Sequence, residues 1–175
     1  MNINNIKKEF PIFKKKINGK PLIYLDSANA SQKPKSVIDR ISYFYENEFS
    51  NVGRSVHSLA VEATNAFENS RDLTKKFINA KHREEVVFTK GATEAINLVA
   101  NCFGEKFINK GDEIILTELE HHSNYVPWHF LRQNKGAIIK FAKLNNKLEI
   151  DVDEIKKLIT KKTKIIAITH ISNVT

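Results

Sequence analysis

The sequence predicts an α/β fold in which a mainly parallel sheet carries helices on its faces. Short runs of β-branched and other apolar residues alternate with segments of helical spacing, which is the pattern of parallel sheets linked by helices. The predicted strands are Glu85–Thr89, Asp112–Thr117, Ala137–Phe141 and Lys164–Thr169. Ligands of parallel sheets bind at the carboxyl ends of the strands. The polar residues that follow these strands are therefore the candidate functional residues.

Helices and turns fill the intervals between the predicted strands. Pro34 predicts the start of a helix, because its fixed φ suits a first helical turn and apolar residues recur at helical spacing after it. Asn18 and Gly19 predict a turn between two apolar clusters. The further predicted helices are Leu59–Ala80, Thr93–Phe107, Val126–Gln133 and Asp153–Leu158.

Length and composition indicate a globular chain that is one domain or part of a larger one. The 175 residues are 41% hydrophobic, and no apolar run approaches the ~18 residues of a membrane-spanning helix. The first residues lead into lysines without an apolar signal region, so the expected location is the cytoplasm and no membrane partner is expected. A single cysteine excludes an internal disulfide and a zinc site of several cysteines.

The net charge is strongly positive. Lysine and arginine number 28 against 20 aspartates and glutamates, a formal net charge of +8 that suits an anionic partner. The lysines stand mostly singly or in pairs, and they are not interleaved with aromatic residues as on a single-strand binding surface. Solvated lysine faces therefore explain the charge better than nucleic-acid binding, which stays a minor alternative.

The first candidate loop, Thr89–Ala95, leads from a strand into a helix. Gly91 allows a tight turn, Thr93 can cap the helix, and the free backbone amides of the first turn can bind a phosphate. The loop contains neither the glycine-rich phosphate loop of ATP-binding proteins nor a GxGxxG motif, which disfavours ATP and dinucleotides. A routine capped turn without a ligand remains the alternative.

The second and third candidate loops also follow strands. In Glu120–Asn124 a histidine can act as an acid or base, as a flat stacking partner or as a metal ligand, or it can be an ordinary exposed loop residue. A metal is disfavoured, because adjacent histidines point in different directions and no HExxH motif is present. In Thr169–Asn173 a side-chain amide can bind a ligand oxygen, although an asparagine after a strand is usually a turn residue. If the three loops converge at one edge of the sheet, they bring together a phosphate-binding helix end, a flat histidine ring and a side-chain amide. This combination would suit a phosphorylated, planar cofactor.

Five motifs then occur in order along the chain: Pro21–Ala28, Arg54–Leu59, Gly91–Ala100, Glu120–Trp128 and Thr169–Val174. Together they resemble cysteine desulfurases, pyridoxal-phosphate enzymes of the class-V aminotransferase group, and in particular the sulfur-mobilisation branch. The resemblance runs from about Ile6 to the last residue. It implies the large domain of a fold-type-I pyridoxal-phosphate-dependent transferase, incomplete over residues 21–175 and preceded by an amino-terminal segment of residues 1–20.

The resemblance implies roles for four residues of the three loops. Ala92 and Thr93 would hold the phosphate of pyridoxal 5'-phosphate, which agrees with the helix-terminus argument above. His121 would stack on the pyridine ring and assist proton transfers, and Asn173 would hydrogen-bond the ring hydroxyl oxygen.

The resemblance also implies a reaction and its partners. Intact members of the family are homodimers that convert L-cysteine to L-alanine and pass the sulfur to an acceptor protein for iron–sulfur cluster assembly. Ala28 and Asn29 would lie near the substrate carboxylate, although the family usually has a second alanine where this chain has Asn29. Cysteine desulfurases and selenocysteine lyases are not separated by these motifs.

Three residues that the family's chemistry needs are expected beyond Thr175: the Schiff-base lysine, an aspartate on the pyridine nitrogen and a persulfide-forming cysteine. Lys90 does not match the lysine motif, and Cys102 is expected to be a buried, inert residue within a helix. We therefore expect no covalently held cofactor and no desulfurase activity from this chain alone. Three explanations for the absence of these residues stay open: a degraded gene, a piece of a longer chain, and one half of a split enzyme. The alternative function, from a different class, is a non-enzymatic binding module.

Overall fold

A computed structural model describes residues 3–174, which form two compact units; the first ends at Val87 in the chain and the second begins at Phe88. The first unit is mainly helical, and the second contains a parallel sheet. The domain limits of residues 1–20 and 21–175 stay a prediction. Within the described residues, no helix combines the length and the apolar character that crossing a bilayer demands.

The first unit consists of three helices and a short hairpin. Asn18 and Gly19 both have positive φ, 50° and 76°, which is the backbone that a tight two-residue hairpin turn requires, and the predicted turn is confirmed. Pro34 is the residue before α2, as predicted for a helix start. The elements are α1 (Ile3–Lys8), β1 (Lys16–Ile17), β2 (Lys20–Pro21), α2 (Lys35–Tyr43) and α3 (Ser58–Phe77). Single turns of 3-10 or π-helix cover Pro11–Lys14, Phe44–Glu48 and Arg83–Glu85.

An ion-pair network ties the Arg83–Glu85 turn to α3. Arg83 pairs with Glu68 at 3.1 Å and with Asp72, and the hydrogen bond from Arg83 lowers the pKa of the Asp72 carboxyl. Arg71 donates to the carbonyl oxygens of Arg83 and Val86 at 3.1 and 3.2 Å. The chain that leaves α3 is thus held against that helix by charged side chains.

The prediction of a strand over Glu85–Thr89 is wrong. Its first residue ends the 3-10 turn, and the backbone that follows is extended at Val86 (φ -99°, ψ 112°) without joining a strand ladder in residues 3–174. The residue types favour an extended chain, but a strand also needs a neighbouring strand to exchange hydrogen bonds with. This segment has no such neighbour among the described strands.

The second unit is a three-stranded parallel sheet with helices on both faces. Strand order is β4-β3-β5, so the strand that comes first in the chain lies in the centre. The strands are β3 (Glu113–Thr117), β4 (Ile138–Ala142) and β5 (Thr163–Ile166). The helices are α4 (Ala92–Val99), α5 (Glu105–Phe107), α6 (Val126–Lys135) and α7 (Val152–Leu158). The predicted α/β class with a parallel sheet is confirmed, with each predicted strand after the first shortened or shifted by one to three residues.

The core of the second unit lies on both faces of β3, all of whose residues are buried. Ile114 and Leu116 pack with Trp128 and Leu131 of α6 on one face, whereas Ile115 packs with Ile155 of α7 and with Ala142 on the other. Successive side chains of a strand point to opposite faces, so a central strand covered on both sides must be apolar throughout its middle. The continuous run Ile114–Leu116 meets this requirement.

The amino end of β3 is fixed by a buried carboxylate. Glu113 accepts hydrogen bonds from Lys140 at 2.8 Å, from Thr160 at 2.7 Å and from Thr163 at 3.2 Å. These hydrogen bonds, with that of Lys140 the strongest, lower the pKa of the Glu113 carboxyl. One side chain of the central strand thereby contacts both neighbouring strands at the edge opposite to the candidate loops.

Cys102 is exposed, and the prediction of a buried cysteine is wrong. The helix predicted over Thr93–Phe107 is present, but a π-helical turn, Ala100–Gly104, separates α4 from α5. Ala100 and Gly104 are the buried residues of this turn. Cys102 lies midway between them, on the side of the helix that faces solvent.

Candidate functional site

The three candidate loops of the second unit lie at one edge of the sheet. Because β3, β4 and β5 are parallel, their carboxyl ends share that edge. Helix α4 packs against the 3-10 turn His122–Asn124, and the backbone N–H of Thr169 donates to Glu120 Oε1 at 2.9 Å. The loop after β3 and the segment after β5 are therefore neighbours, and helix α4 packs against the first of them.

The loop before α4 presents free backbone donors. The N–H groups of Ala92, Thr93 and Glu94 have no acceptor among the described residues, and the N-cap residue, Gly91, has no side chain that could supply one. The Glu94 carboxylate folds back onto the backbone N–H of Lys90 at 2.6 Å. Thr93 does not cap the helix as predicted, because it lies within the first turn of α4. Three free N–H groups at the positive end of a helix can bind an anionic group such as a phosphate.

His121 stands exposed at the start of the 3-10 turn and caps it. Its Nδ1 accepts the backbone N–H of Ser123 at 3.1 Å and lies 2.9 Å from Ser123 Oγ. Since Nδ1 accepts this hydrogen bond, the neutral ring is assigned its proton on Nε2. The ring is thus held by its own turn while its other nitrogen stays available to a ligand.

Asn173 lies at the end of the segment that follows β5, and it is exposed. The Thr169 hydroxyl donates to the carbonyl oxygen of Ile171 at 3.2 Å, and the Val174 N–H donates to Ser172 Oγ at 3.1 Å, so the segment is folded into local turns. No hydrogen bond joins the Asn173 side chain to another residue of 3–174. Its amide is free to bind a ligand.

Glu120 connects the loops, a role that the sequence analysis did not assign. Its Oε1 accepts from the Thr117 hydroxyl at 2.6 Å as well as from Thr169, and its Oε2 accepts from Asn124 Nδ2 at 2.6 Å. Asn124 Oδ1 in turn accepts from Trp128 Nε1 at 3.0 Å. The spacing of Glu120, Asn124 and Trp128, four residues apart, is the sequence signal that could have identified part of this network.

The two predicted substrate-binding residues, Ala28 and Asn29, are exposed and lie in the first unit. They form a turn in which the N–H groups of Asn29 and Ala30 donate to the carbonyl oxygen of Asp26 at 3.2 and 3.1 Å. The Tyr24 hydroxyl closes the turn by donating to the carbonyl oxygens of Asp26 and Ala30. The side-chain amide of Asn29 donates to Asp26 Oδ2 at 3.5 Å, so it is oriented within the turn.

Residues 23–175 match the family model of the class-V aminotransferases. The chain belongs to the class-V aminotransferase family. Among residues 3–174 of this family member, no group of three histidine, cysteine, aspartate or glutamate side chains is placed to hold a metal ion.

Curated relatives of the chain are described as probable cysteine desulfurases. One from Staphylococcus aureus is 47% identical over 173 residues, which cover 99% of this chain and 42% of the relative. One from Synechocystis is 46% identical over 168 residues, which cover 96% of this chain and 40% of the relative. The chain thus spans about two fifths of the length of these curated relatives, and it corresponds to an amino-terminal portion of a cysteine desulfurase-like protein.

Solved structures agree with the sequence comparison. The apo structure of a cysteine desulfurase from Thermococcus onnurineus matches 97% of this chain and 40% of its own, with a TM-score of 0.87 and 35% identity. The cysteine desulfurase CsdA from Escherichia coli matches 99% of this chain and 42% of its own, with a TM-score of 0.80 and 34% identity. The resemblance stated from the motifs and the predicted fold class are both confirmed.

Proposed function

We propose that the second unit provides the pyridoxal-phosphate-binding sheet edge of a cysteine desulfurase. The observation that carries this proposal is that helix α4, whose first N–H groups are free, packs against the turn that His121 caps. A phosphate seat next to an exposed flat ring fits a phosphorylated, planar cofactor, and the exposed amide of Asn173 follows β5 at the same edge. The residues present therefore fit the group that the family implies.

Each candidate residue of the three loops has a defined role in this proposal. Ala92 and Thr93 bind the phosphate through their backbone N–H groups, and the Thr93 hydroxyl adds a further donor. His121 would stack on the pyridine ring and assist proton transfers there, with its Nε2–H available as a hydrogen-bond donor. Asn173 donates its amide hydrogen to the oxygen on the ring. The cofactor itself supplies an electron sink for bond breaking at the substrate's α-carbon.

The reaction proposed for the whole protein is the conversion of L-cysteine to L-alanine. The sulfur goes to an acceptor protein for iron–sulfur cluster assembly, and the enzyme acts as a homodimer in the cytoplasm. Ala28 and Asn29 lie near the substrate carboxylate in this proposal. The relatives' description as probable cysteine desulfurases supports it. None of the three loops of the second unit offers a lysine in the family's Schiff-base motif, so the 175-residue chain alone is expected to bind cofactor weakly and to produce no alanine.

A calorimetric titration with pyridoxine 5'-phosphate tests the site. This ligand keeps the ring and the phosphate but lacks the aldehyde, so it cannot react with surface lysines. We expect it to bind more tightly than pyridoxine, which lacks the phosphate. The variant Ala92→Pro removes one free N–H while keeping the helix, because proline is tolerated at the first helical position, and it should weaken binding of the phosphorylated ligand about tenfold.

The matched control is Val152→Pro, which makes the same change at the first position of α7. It should leave both affinities unchanged. Equal binding of the two ligands, or equal effects of the two prolines, would contradict the proposed phosphate seat. A separate assay with pyridoxal 5'-phosphate and L-cysteine should yield alanine and sulfide no faster than the free cofactor does. A faster rate would show that the chain alone is an active enzyme.

A further inference from the structure

The Glu120 carboxylate joins the end of β3 and the 3-10 turn His122–Asn124, which are close to it in the sequence, to the segment after β5, which is 49 residues away. One oxygen, Oε1, accepts hydrogen bonds from the Thr117 hydroxyl at the end of β3 and from the Thr169 backbone N–H after β5. The other oxygen, Oε2, accepts from Asn124 in the 3-10 turn. Both oxygens are therefore used, and each bond is 2.6 to 2.9 Å long. Hydrogen bonds to an ionised acceptor are the strong ones.

The orientation of Asn124 is fixed from its other side. Trp128 is 3% exposed, and its indole N–H can only donate a hydrogen bond. It donates to Asn124 Oδ1, so the amide nitrogen of Asn124 must point toward Glu120. Position 120 must then offer an acceptor to Asn124 and another to Thr117 and Thr169. A carboxylate does this, whereas a side-chain amide has one oxygen and would turn a donor toward one of the two groups.

This network borders two of the proposed cofactor residues. Glu120 immediately precedes His121, and Thr169 lies four residues before Asn173. We propose that Glu120 is a positioning residue: it does not touch the cofactor but holds the His121 turn and the Asn173 segment in the arrangement that binds it. The inference rests on the proposed function, since it assigns Glu120 a role in the same site.

A neighbouring glutamate provides the comparison. Glu118 also follows β3, but its carboxylate accepts one hydrogen bond, from the backbone N–H of Leu144 at 3.0 Å, and is exposed. No hydrogen bond within residues 3–174 joins the Glu118 side chain to the segment after β5. Glu118→Gln therefore changes the same charge in the same loop without disturbing the donor and acceptor pattern around Asn124.

The test uses the 175-residue chain and a double substitution. Glu120→Gln leaves one of the donor groups without an acceptor, and Asn124→Asp alone places two carboxylates against each other. Combined, the two changes restore the pattern: the new amide donates to the new carboxylate, whose second oxygen accepts from Trp128. We expect each single variant to weaken the binding of pyridoxine 5'-phosphate about tenfold, and the double variant to recover to within about threefold of the original affinity. Glu118→Gln should not change the affinity.

A second measurement reports on the network in the absence of ligand. Hydrogen exchange of the Thr169 amide and of the Trp128 indole, followed by NMR, should accelerate in the single variants and slow again in the double variant. If exchange recovers in the double variant but affinity does not, Glu120 is a structural residue only and the inference is overturned. Unchanged exchange in Glu120→Gln also overturns it. If the original chain does not bind the ligand at all, the proposed function fails, and with it the positioning role that depends on it.

Discussion

At the scale of single residues, two adjacent histidines differ in how they are held. His121 caps its turn through Nδ1, whereas no hydrogen bond within residues 3–174 fixes the ring of His122. Both are exposed, and their ring centroids are 6.2 Å apart. A ring that is oriented before a ligand arrives loses less conformational entropy on binding. This difference favours His121 over His122 for the stacking role proposed above.

The first prediction follows from this difference. His121→Ala should weaken the binding of pyridoxine 5'-phosphate about three- to tenfold, because a stacked ring contact is lost. His121→Phe should recover part of the affinity, because it restores a flat ring but not the Nδ1 hydrogen bond. His122→Ala is the control and should bind as the original chain does. Calorimetry gives all four affinities, and a larger effect from His122 than from His121 would reverse the assignment.

At the scale of elements, β3 organises the second unit. Its middle residues contribute to both faces of the core, its amino end carries Glu113, and its carboxyl end carries Thr117. The middle of this strand therefore packs in the core, while Thr117 at its end donates a hydrogen bond to Glu120. Substitutions in the middle of β3 should therefore lower the stability of the second unit, whereas substitutions at its carboxyl end should affect the candidate site.

Ile115→Ala tests the packing role. This side chain has no exposed surface, and truncating a fully buried isoleucine costs about 2 to 5 kcal/mol. Ile138→Ala in β4 is the matched control, because that side chain is 46% exposed and should cost distinctly less. Urea unfolding followed by Trp128 fluorescence measures both. Equal losses of stability would mean that β3 is not the centre of the core.

The lowered pKa of the Glu113 carboxyl leads us to expect a loss of stability in acid. Its pKa is lowered in the folded chain by hydrogen bonds from Lys140, Thr160 and Thr163, so folding favours the ionised form. The stabilisation is complete above the ordinary value of 4.5 and is lost as the pH falls through the lower folded value. Glu113→Gln should therefore unfold more easily at neutral pH and show less additional destabilisation by acid. Thermal unfolding at a series of pH values checks this, and parallel curves for the two proteins would contradict it.

The limits of sequence reasoning are also visible at this scale. The apolar run Ile114–Leu116 is typical of a parallel strand that is buried on both faces, and the structure has such a strand there. The extended residues from Val86 onward have similar types, yet whether they pair depends on a neighbour that local pattern does not reveal. The bond between Glu120 and Thr169 spans 49 residues and exists only once the sheet has formed. Cys102 was misplaced because the π-helical turn and the direction of the buried face follow from packing, not from helix propensity.

At the scale of the whole chain, many large apolar side chains are exposed. Each of Ile23, Leu25, Val56, Leu73, Phe77, Ile171 and Val174 is at least 70% exposed. Both outer strands of the described sheet, β4 and β5, also have an edge without a neighbouring strand in residues 3–174. Exposed apolar patches and free strand edges favour association between molecules.

We therefore expect the isolated chain to associate as its concentration rises. Light scattering over a range of concentrations should show an increasing mean mass, and the dye anilinonaphthalene sulfonate should bind and fluoresce. Leu25→Ser with Phe77→Ser should reduce both signals. A monomer at all concentrations, with a sharp and reversible thermal transition, would contradict this prediction.

Trp128 is the only tryptophan of the chain, and it lies in the core of the second unit. Three of the four tyrosines, by contrast, belong to the first unit. Excitation at a wavelength that selects the indole thus gives an optical signal from one unit, while circular dichroism in the far ultraviolet averages over both. Coincident melting curves from the two methods would reveal that the units unfold as one cooperative block, and separated curves would give each its own midpoint.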